Sequence, residues 1–417
     1  MSRLRELMAE LCPDGVEYQP IKDCVESVEK IQWKLTDETY RYIDLSSVDC
    51  DDHMIGETIE ISGDNAPSRA QQIVKAGDIL LGTTRPMLKR YCQIPLEYDS
   101  QICSTGFCVL RADNAKVLTR WLYHMISTTA FFDYVDRTQH GSSYPTISDK
   151  EVKVYEIPVP PLPIQNEIVK LLDNFTELTA ELTAELLLRK KQYNFYRDAL
   201  LTFAPADDTI VQTDRQTDRQ TDRQAQRIGK IDLLKESVEV EWKTLQNIAT
   251  SIFSGNNKNK SLSGTYPVYG STDIIGWTTQ GRYSKKNILV ARVGVYAGFV
   301  QFVDGCYDVS DNTLVVDVSD EVNIKYIFYY LKHMNLNHLA RGGGQPLITA
   351  GQLKKLNIPI PPLEVQQKIV SILDRFDTLC NDLTQGLPAE IAARRKQYAY
   401  YRDKLLTFPK SKPAGRS

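Results

Sequence analysis

The chain has 417 residues, of which 42% are hydrophobic and 25% charged, and its formal net charge is −3. That length exceeds one ordinary hydrophobic core and predicts two domains with connectors, while the composition argues against disorder. No apolar run approaches the roughly 18–20 residues that span a bilayer, and residues 1–12 lack the apolar stretch of a secretory signal, which predicts a cytoplasmic protein without a membrane partner.

Residues 1–156 form the first predicted domain, a mixture of short strands and one helix. Apolar stretches bounded by turn residues predict strands at 40–45, 77–81 and 107–111, because Val, Ile, Leu and Tyr dominate them. An amphipathic pattern predicts one helix over 117–136. Short strands followed by a helix indicate the α+β class.

Two loops of this domain carry side chains suited to DNA. Arginine suits bidentate recognition of guanine, and hydroxyl groups donate hydrogen bonds to phosphates and base edges. The segment 82–90 is basic and has no acidic residue, and 140–144 is rich in glycine and serine. Taken alone, such loops are more often plain turns. The residues predicted here to bind DNA are Thr83, Thr84, Arg85, Lys89, Arg90, Ser142, Ser143 and Tyr144.

A long spacer helix is predicted within 157–205. Its apolar positions are Ile164, Ile168, Leu171, Phe175, Leu178 and Leu182. Alternating steps of four and three indicate a coiled coil, and about 40 residues give roughly 60 Å of helix. The tetrapeptide Thr-Ala-Glu-Leu occurs in tandem at 179–182 and 183–186. One unit corresponds to about 6 Å and about 40° of helix, near the roughly 34–36° that B-DNA turns per base pair. We hypothesise that the tandem sets the gap between two DNA sites.

A linker at 206–234 follows, with the tetrapeptide TDRQ three times over at 213–224. It has no apolar residue in these repeats and cannot build a core. An exposed linker and a device that tunes length both remain open.

Residues 235–357 form the second predicted domain, with strands at 287–291 and 312–316 and a helix over 323–339. Between Thr250 and Val300 six basic residues stand against one acidic residue, so a basic patch is compatible with the negative chain. The residues predicted here to bind DNA are Ser254, Asn256, Lys258, Arg292, Arg341, Gly343 and Gln345.

Residues 358–417 hold a second spacer helix and a tail, and they repeat the first. IPVPPLPIQNEIV returns as IPIPPLEVQQKIV, and RKKQYNFYRDALLTF as RRKQYAYYRDKLLTF. The offset grows from 201 to 205 residues, and Gly386 and Pro388 in the insertion predict a kink or break. The repeat predicts a pseudo-two-fold protein in which two matching helices serve one shared purpose and two dissimilar domains serve different ones.

Signatures of catalysis are absent. The sequence has no G-x-x-x-x-G-K-[ST] loop, no G-x-G-x-x-G unit, no C-x-x-C pair and no histidines at metal spacing, which predicts a binding protein without its own metal or cofactor. Two alternatives stay open: a coiled-coil scaffold that binds proteins, and a nuclease with an unfamiliar site.

Together, the doubled proline-rich helix starts, the Lys-Gln-Tyr-x-x-Tyr-Arg-Asp helix ends and the Thr-Ala-Glu-Leu tandem resemble the HsdS specificity subunits of Type I restriction–modification systems, of the type IC group. The resemblance implies two target-recognition domains that each read half of a split double-stranded DNA site. It implies further that the two long helices pack antiparallel as a coiled coil and set the gap between the halves. It also implies a non-catalytic chain whose helices dock two methyltransferase (M) subunits carrying S-adenosylmethionine. Restriction (R) subunits, with ATP and Mg²⁺, would join them. The helix residues expected to bind partners are Leu178, Leu182, Tyr193, Tyr196, Leu379, Leu383, Tyr398 and Tyr401.

Overall fold

The structure is a computed structural model that describes residues 2–205, 226–231, 236–258, 261–342 and 345–411. The chain divides into two compact units: unit 1 is Met1–Leu182 with Glu390–Ser417, and unit 2 is Thr183–Ala389. The TDRQ repeats and Gly343 lie outside the described residues, so the predictions made for them remain untested.

Unit 1 contains an α+β domain, the start of a long helix and most of the last helix. Its strands are β1 Tyr18–Pro20, β2 Val25–Glu26, β3 Tyr40–Ile43, β4 Ile59–Ile61, β5 Ala70–Ile73, β6 Ile79–Gly82, β7 Tyr91–Gln93, β8 Ile102–Ser104, β9 Phe107–Ala112 and β10 Glu156–Pro158. Its helices are α1 Ser2–Leu11, α2 Thr119–Ile126, α3 Thr129–Thr138, α4 Asp149–Val154 and the first half of α5 Leu162–Leu201.

Unit 2 contains the second half of α5 and a second α+β domain. Its strands are β11 Ala204–Pro205, β12 Gln226–Ile231, β13 Glu236–Thr244, β14 Ala249–Ser254, β15 Tyr266–Tyr269, β16 Ile274–Thr278, β17 Asn287–Ala291, β18 Val300–Val303, β19 Asp308–Val309, β20 Thr313–Val318 and β21 Asn357–Ile360. Its helices are α6 Leu245–Ile248, α7 Ile324–His333, α8 Ala350–Lys354 and α9 Leu363–Asn381, and α10 Leu387–Leu405 follows.

The central sheet of each domain has the same order, β2-β9-β6-β7 in unit 1 and β14-β20-β17-β18 in unit 2. Both faces of this sheet are buried. In β6, Ile79 and Leu81 join the core that includes the helices, while Leu80 joins a second core on the opposite face. Alternate residues of a strand point to opposite faces, so burial on both sides explains why β6 reads as a continuous apolar run.

A smaller sheet accompanies the central one in each domain. In unit 1 its order is β4-β3-β8-β5, and in unit 2 it is β16-β15-β19. The strands β3 and β15 are equivalent, because each pairs antiparallel with the following strand and parallel with a later one. The two domains are thus one fold used twice, although their sequences match only weakly.

Each domain is fixed to its spacer helix by a buried glutamine. In unit 1 the Gln165 Oε1 accepts a hydrogen bond from the Leu118 amide at 2.9 Å, at the start of α2. Its Nε2 donates to the Pro160 carbonyl at 2.8 Å. In unit 2 the Gln366 Oε1 accepts from the Asn323 amide at 2.8 Å, at the start of α7. A buried amide that satisfies backbone groups on two elements holds them in one register.

The helices α2 and α7 each make two further contacts that attach the domain: one hydrogen bond to the segment before the spacer helix and one ion pair with the spacer helix itself. The Trp121 Nε1 donates to the Pro158 carbonyl at 3.1 Å, and the Tyr326 hydroxyl donates to the carbonyl of Pro359, the counterpart of Pro158, at 2.8 Å. Asp173 pairs with Arg120, and Asp374 with Lys325, each at 2.6 Å. The repeat in the helix sequences therefore marks a repeated attachment of domain to helix.

Within each unit, aromatic rings join two spacer helices. In unit 1 the Phe175 and Tyr401 rings stack with centroids 5.7 Å apart, and in unit 2 Tyr196 and Phe376 stack at 5.2 Å. The position that packs into unit 1 is Leu172, which is fully buried, whereas the predicted seam residue Leu171 is only partly buried. This part of α5 faces its own domain, so the 3.6-residue period of a surface helix replaces the coiled-coil period there.

Two predictions about helix continuity had different outcomes. The single helix predicted over 117–136 is wrong: α2 ends at Ile126, and α3 begins anew after Thr128, whose side chain accepts a hydrogen bond from the Phe131 amide. A threonine cap inside an amphipathic pattern stops one helix and starts the next. The break predicted near Gly386 is confirmed, because α9 and α10 are separate there.

We expect the stability of unit 1 to fall as the pH drops below 6.5, the ordinary pKa of histidine. His124 on α2 is fully buried between Asp173 on α5 and Tyr398 on α10, with Arg120 and Arg402 nearby. Burial lowers the pKa of His124. Just below pH 6.5 the histidine is therefore protonated in the unfolded chain but still neutral in the folded chain. Stability is therefore present above pH 6.5 and is lost below it, by up to about 1.4 kcal/mol per pH unit.

The measurement is urea unfolding of the full chain at several pH values. His124→Gln should show a flatter dependence, although His53, whose pKa burial lowers to about 4, contributes in the same direction in both proteins. Equal slopes for the two proteins would show that His124 takes up its proton without cost.

Candidate nucleic-acid interface

The predicted loops of the first domain lie side by side. The turn that follows β6 (83–89) runs along the segment before α4 (140–147). The Arg85 amide donates to the Pro145 carbonyl at 2.7 Å, and the Ile147 amide donates to the Thr83 carbonyl at 3.0 Å. Thr84 also pairs with Thr146 as an isolated bridge. Two segments that are 60 residues apart in the sequence thus form one surface.

The second domain repeats this arrangement with the turn after β17 (292–298) and the segment before α8 (345–348). The Gly294 amide donates to the Pro346 carbonyl at 3.0 Å, and the Ile348 amide donates to the Arg292 carbonyl at 2.8 Å. Arg341 is held beside them by its amide, which donates to the Leu347 carbonyl at 3.1 Å. We call each such arrangement a loop pair.

Backbone conformation distinguishes the two loop pairs. In the first, Arg85 and Lys89 adopt left-handed backbone angles with φ of 48° and 54°. The corresponding residues of the second are Gly294 and Gly298, with φ of 85° and 94°. A side chain in this region costs about 1–2 kcal/mol per residue, whereas glycine adopts it freely. The first domain thus holds two cations in a conformation that disfavours them, which is typical of functional sites.

The side chains of the first loop pair are mostly accessible. Arg85 is exposed, and its guanidinium lies 4.3 Å from the centroid of the Tyr144 ring, which is 68% exposed. Lys89 is exposed beside the Phe132 ring. Thr83 differs, because it is buried and its hydroxyl donates to the Gly106 carbonyl at 2.8 Å. The remaining predicted residues that are exposed or partly exposed are Thr84, Arg90, Ser142 and Ser143.

In the second domain the structure brings Arg292 to Ser254, with 3.4 Å between the guanidinium Nη1 and the hydroxyl. The Asn256 side chain accepts a hydrogen bond from Arg282, which also pairs with the buried Asp308 at 3.4 Å. The exposed members of the predicted set are Asn256, Lys258, Arg341 and Gln345.

Sequence reasoning missed the tip of the second loop pair. Val295 is 83% exposed and Tyr296 is 62% exposed, between Gly294 and Gly298. An exposed aromatic ring at the tip of a loop suits stacking on bases or packing against sugars. The signal was an aromatic residue between two glycines, which sequence alone does not separate from a buried core position.

The carboxylate of Glu151 holds the second segment of the first loop pair in place. The Ser148 hydroxyl and amide both donate to Glu151, and these bonds, with His140, lower the pKa of Glu151 to about 2. His140 lies 2.8 Å from the same carboxylate. Glu151 therefore stays ionised and caps α4, which fixes the segment that carries Ser142 to Tyr144.

Within the described ranges, no group of three or more His, Cys, Asp or Glu side chains is arranged to hold a metal ion. Every helix in the same ranges is too short or too polar to cross a lipid bilayer.

Two α+β domains of one fold, each attached to a long helix and each presenting a basic loop pair, define a duplicated DNA-recognition protein. The family of the Type I restriction modification DNA specificity domain matches residues 13–189 and again 237–393. The chain belongs to this family of Type I restriction–modification specificity subunits. It supplies DNA sequence specificity and acts with other subunits of such a system.

Similar proteins agree with this assignment. The EcoR124I/EcoR124II specificity subunit of Escherichia coli is 33% identical over 333 residues, 72% of this chain and 74% of that protein. A Haemophilus influenzae protein described as a putative type I specificity subunit, S.HindORF215P, is 32% identical and covers 70% of this chain and 73% of its own. The fold resembles the S subunit from M. genitalium, with a TM-score of 0.59 at 14% identity, covering 94% and 96% of the two chains.

Replacing Arg85 with glycine is expected to weaken DNA binding without unfolding the domain. Glycine relieves about 1–2 kcal/mol of left-handed strain but adds about 0.5–1 kcal/mol of unfolded-state entropy, so the free energy of unfolding should rise by no more than about 1.5 kcal/mol. Loss of a charge-assisted arginine contact with a DNA phosphate costs roughly 1.5–3 kcal/mol, about tenfold or more in affinity.

Binding of the assembled complex to its DNA site, at fixed salt, measures the effect. Lys22→Gln removes an equal charge from an exposed position after β1 and serves as the control. If R85G and K22Q bound equally well, Arg85 would have no contact with DNA.

Proposed function

We propose that each domain reads one half of a bipartite DNA site and that the spacer helices fix the gap between the halves. The observation that carries this proposal is the loop pair, built from equivalent backbone hydrogen bonds in both domains but lined with different side chains. One scaffold with two sets of side chains suits two different short sequences. Affinity would come largely from phosphate contacts and would fall with salt.

The same proposal includes two methyltransferase subunits that dock on the spacer helices. The predicted contact Tyr193 is buried in unit 2, with only 6% exposure, whereas Leu383 is 80% exposed. Two aromatic residues at equivalent helix positions are more accessible: Phe195 is 64% exposed and Tyr400 is 61% exposed. An exposed aromatic anchor repeated in both halves of the chain favours two copies of one partner. The other predicted contacts that are partly buried are Leu178, Leu182, Tyr196, Leu379, Tyr398 and Tyr401.

Phe195→Ala and Tyr400→Ala are each expected to lower methyltransferase binding from two subunits to one, because truncating a central aromatic anchor costs about 2 kcal/mol or more. Native mass spectrometry of the assembled complex counts the subunits. Leu188→Ala, another exposed apolar position on α5 at 65% exposure, controls for simple loss of surface. Two bound methyltransferases in both aromatic variants would place the docking surface elsewhere.

We further propose that this chain is non-catalytic and that its partners hold the cofactors: S-adenosylmethionine on the methyltransferases, and ATP and Mg²⁺ on restriction subunits. A cytoplasmic location follows from this role, and the eight cysteines, all free, are compatible with a reducing compartment.

Methylome sequencing of cells that express this chain with its methyltransferase tests the proposal. We expect methylated adenines in two short sequences separated by a constant gap. Methylation without such a bipartite sequence would contradict it. Complex formation that is insensitive to salt and never retains DNA would favour the protein-binding scaffold instead.

A further inference from the structure

A polar cleft occupies the same place in each domain, outside the loop pair. In unit 1 the turn 44–47 follows β3 and borders a cleft of about 750 Å³. In unit 2 the turn 270–273 follows β15, the equivalent strand, and borders a cleft of about 430 Å³. The two domains share a fold but not a sequence. A polar cleft beside the same turn in both domains therefore indicates a role that the two domains share.

In unit 1 this turn lies directly against the loop pair. A Cβ atom placed on Gly82 would come within 3.3 Å of the Leu45 side chain, and one on Gly106 within 2.8 Å. The Gly106 carbonyl in turn accepts the Thr83 amide at 2.8 Å. Leu45 of the turn therefore packs on the glycine that supports the first residue of the loop pair.

Unit 2 repeats the junction with different side chains. The Ser271 hydroxyl donates to the Asn312 carbonyl at 3.4 Å, and the Arg292 amide donates to the same carbonyl at 2.8 Å. Asn312 thus stands where Gly106 stands in unit 1, between the turn and the loop pair. In each domain the turn that borders the cleft therefore contacts the residue that supports the loop pair.

The side chains of the loop pairs and those of the clefts differ in charge. The loop pairs carry the exposed cations Arg85 and Arg341, which suit phosphates. The clefts are lined mainly by neutral polar and acidic groups, which suit the donors and acceptors on base edges and would repel phosphate. In unit 1 the polar lining is Asp44, Ser46, Ser47, Glu57, Thr58, Ser68 and Arg69. In unit 2 it is Ser271, Thr272, Asp273 and Asn312.

We propose that the turns 44–47 and 270–273 are the specificity-determining elements, each reading base edges of one half-site. The carboxylates of Asp44 and Asp273 accept a hydrogen bond from an exocyclic amino group, the N4 of cytosine or the N6 of adenine. This inference rests on the proposed bipartite recognition and assigns it to particular residues. The different linings make the two half-sites different sequences.

The test exchanges each carboxylate for its isosteric amide. Asp44 occupies the N-cap position of the short helical turn that begins at Leu45, a position that asparagine favours equally. In methylome sequencing with the partner methyltransferase, Asp44→Asn should change the preferred base at one position of one half-site by at least about tenfold. Asp273→Asn should change only the other half-site. Asp64→Asn and Asp304→Asn, exposed acids outside the clefts, should change neither.

The outcomes separate the two proposals. If the unaltered chain yields no bipartite sequence, the proposed function fails. If it does, and both cleft variants methylate the original sequence unchanged, the assignment of base reading to these turns is overturned. If a cleft variant abolishes methylation, Ser46→Ala and Thr272→Ala are compared, because neither hydroxyl bonds a backbone group in the structure. An unchanged consensus in both alanine variants then overturns the assignment, and a relaxed one supports it.

Discussion

Deleting Thr179–Leu182 is expected to change the gap of the recognised DNA site by one base pair while leaving both half-sites intact. The helix α5 has 40 residues, and the tandem lies where unit 1 ends and unit 2 begins, at Leu182 and Thr183. Removing four residues shortens the helix by about 6 Å and rotates its ends by about 40°. B-DNA turns by roughly 34–36° per base pair, so the rotation matches one base pair more closely than the length does.

Methylome sequencing of the deletion variant measures the gap directly, and methylation at the original spacing should disappear. Thr179→Ala keeps the helix length and removes only a hydroxyl that bonds the Phe175 carbonyl within the helix, so its gap should be unchanged. An unaltered gap in the deletion variant would show that the length of α5 does not set the distance between the two half-sites.

Replacing Arg111 with methionine is expected to destabilise the first domain by about 3–5 kcal/mol, because it leaves a buried carboxylate without its cation. Asp78 is only 2% exposed, and Arg111 binds both of its oxygens, at 2.9 Å and 2.8 Å. The pair joins the start of β6 to the end of β9, at the opposite end of β6 from the first loop pair.

The second domain suggests a second substitution that would restore the stability lost in Arg111→Met. At the position of Asp78 it has Asn287, buried and neutral, whose Nδ2 donates to the Tyr307 hydroxyl. The double variant Asp78→Asn, Arg111→Met should therefore recover much of the lost stability. Urea unfolding with hydrogen-exchange protection of β6 and β9 follows the domain in the full chain. A single variant within about 1 kcal/mol of the parent would show that water reaches Asp78.

Local and repeated features of this protein were readable from its sequence. The two α+β domains, the long first helix and the break at Gly386 follow from periodicity, proline and glycine, which act through a few neighbouring residues. The repeat was informative for a further reason. Gln165 and Gln366, and Asp173 and Asp374, recur because each copy attaches a domain to its helix in the same way.

Only the tertiary structure decided which side chains share a surface. Thr83 looks like Thr84 in the sequence, yet the Thr83 side chain is buried with its hydroxyl bonded to Gly106, whereas Thr84 is partly exposed. The clefts at 44–47 and 270–273 escaped sequence reasoning because they arise where segments about 10 to 40 residues apart meet. Periodicity reports only whether a residue faces inward or outward on its own element. The long-range packing of strands and loops, which local propensity does not encode, determines what lies opposite it.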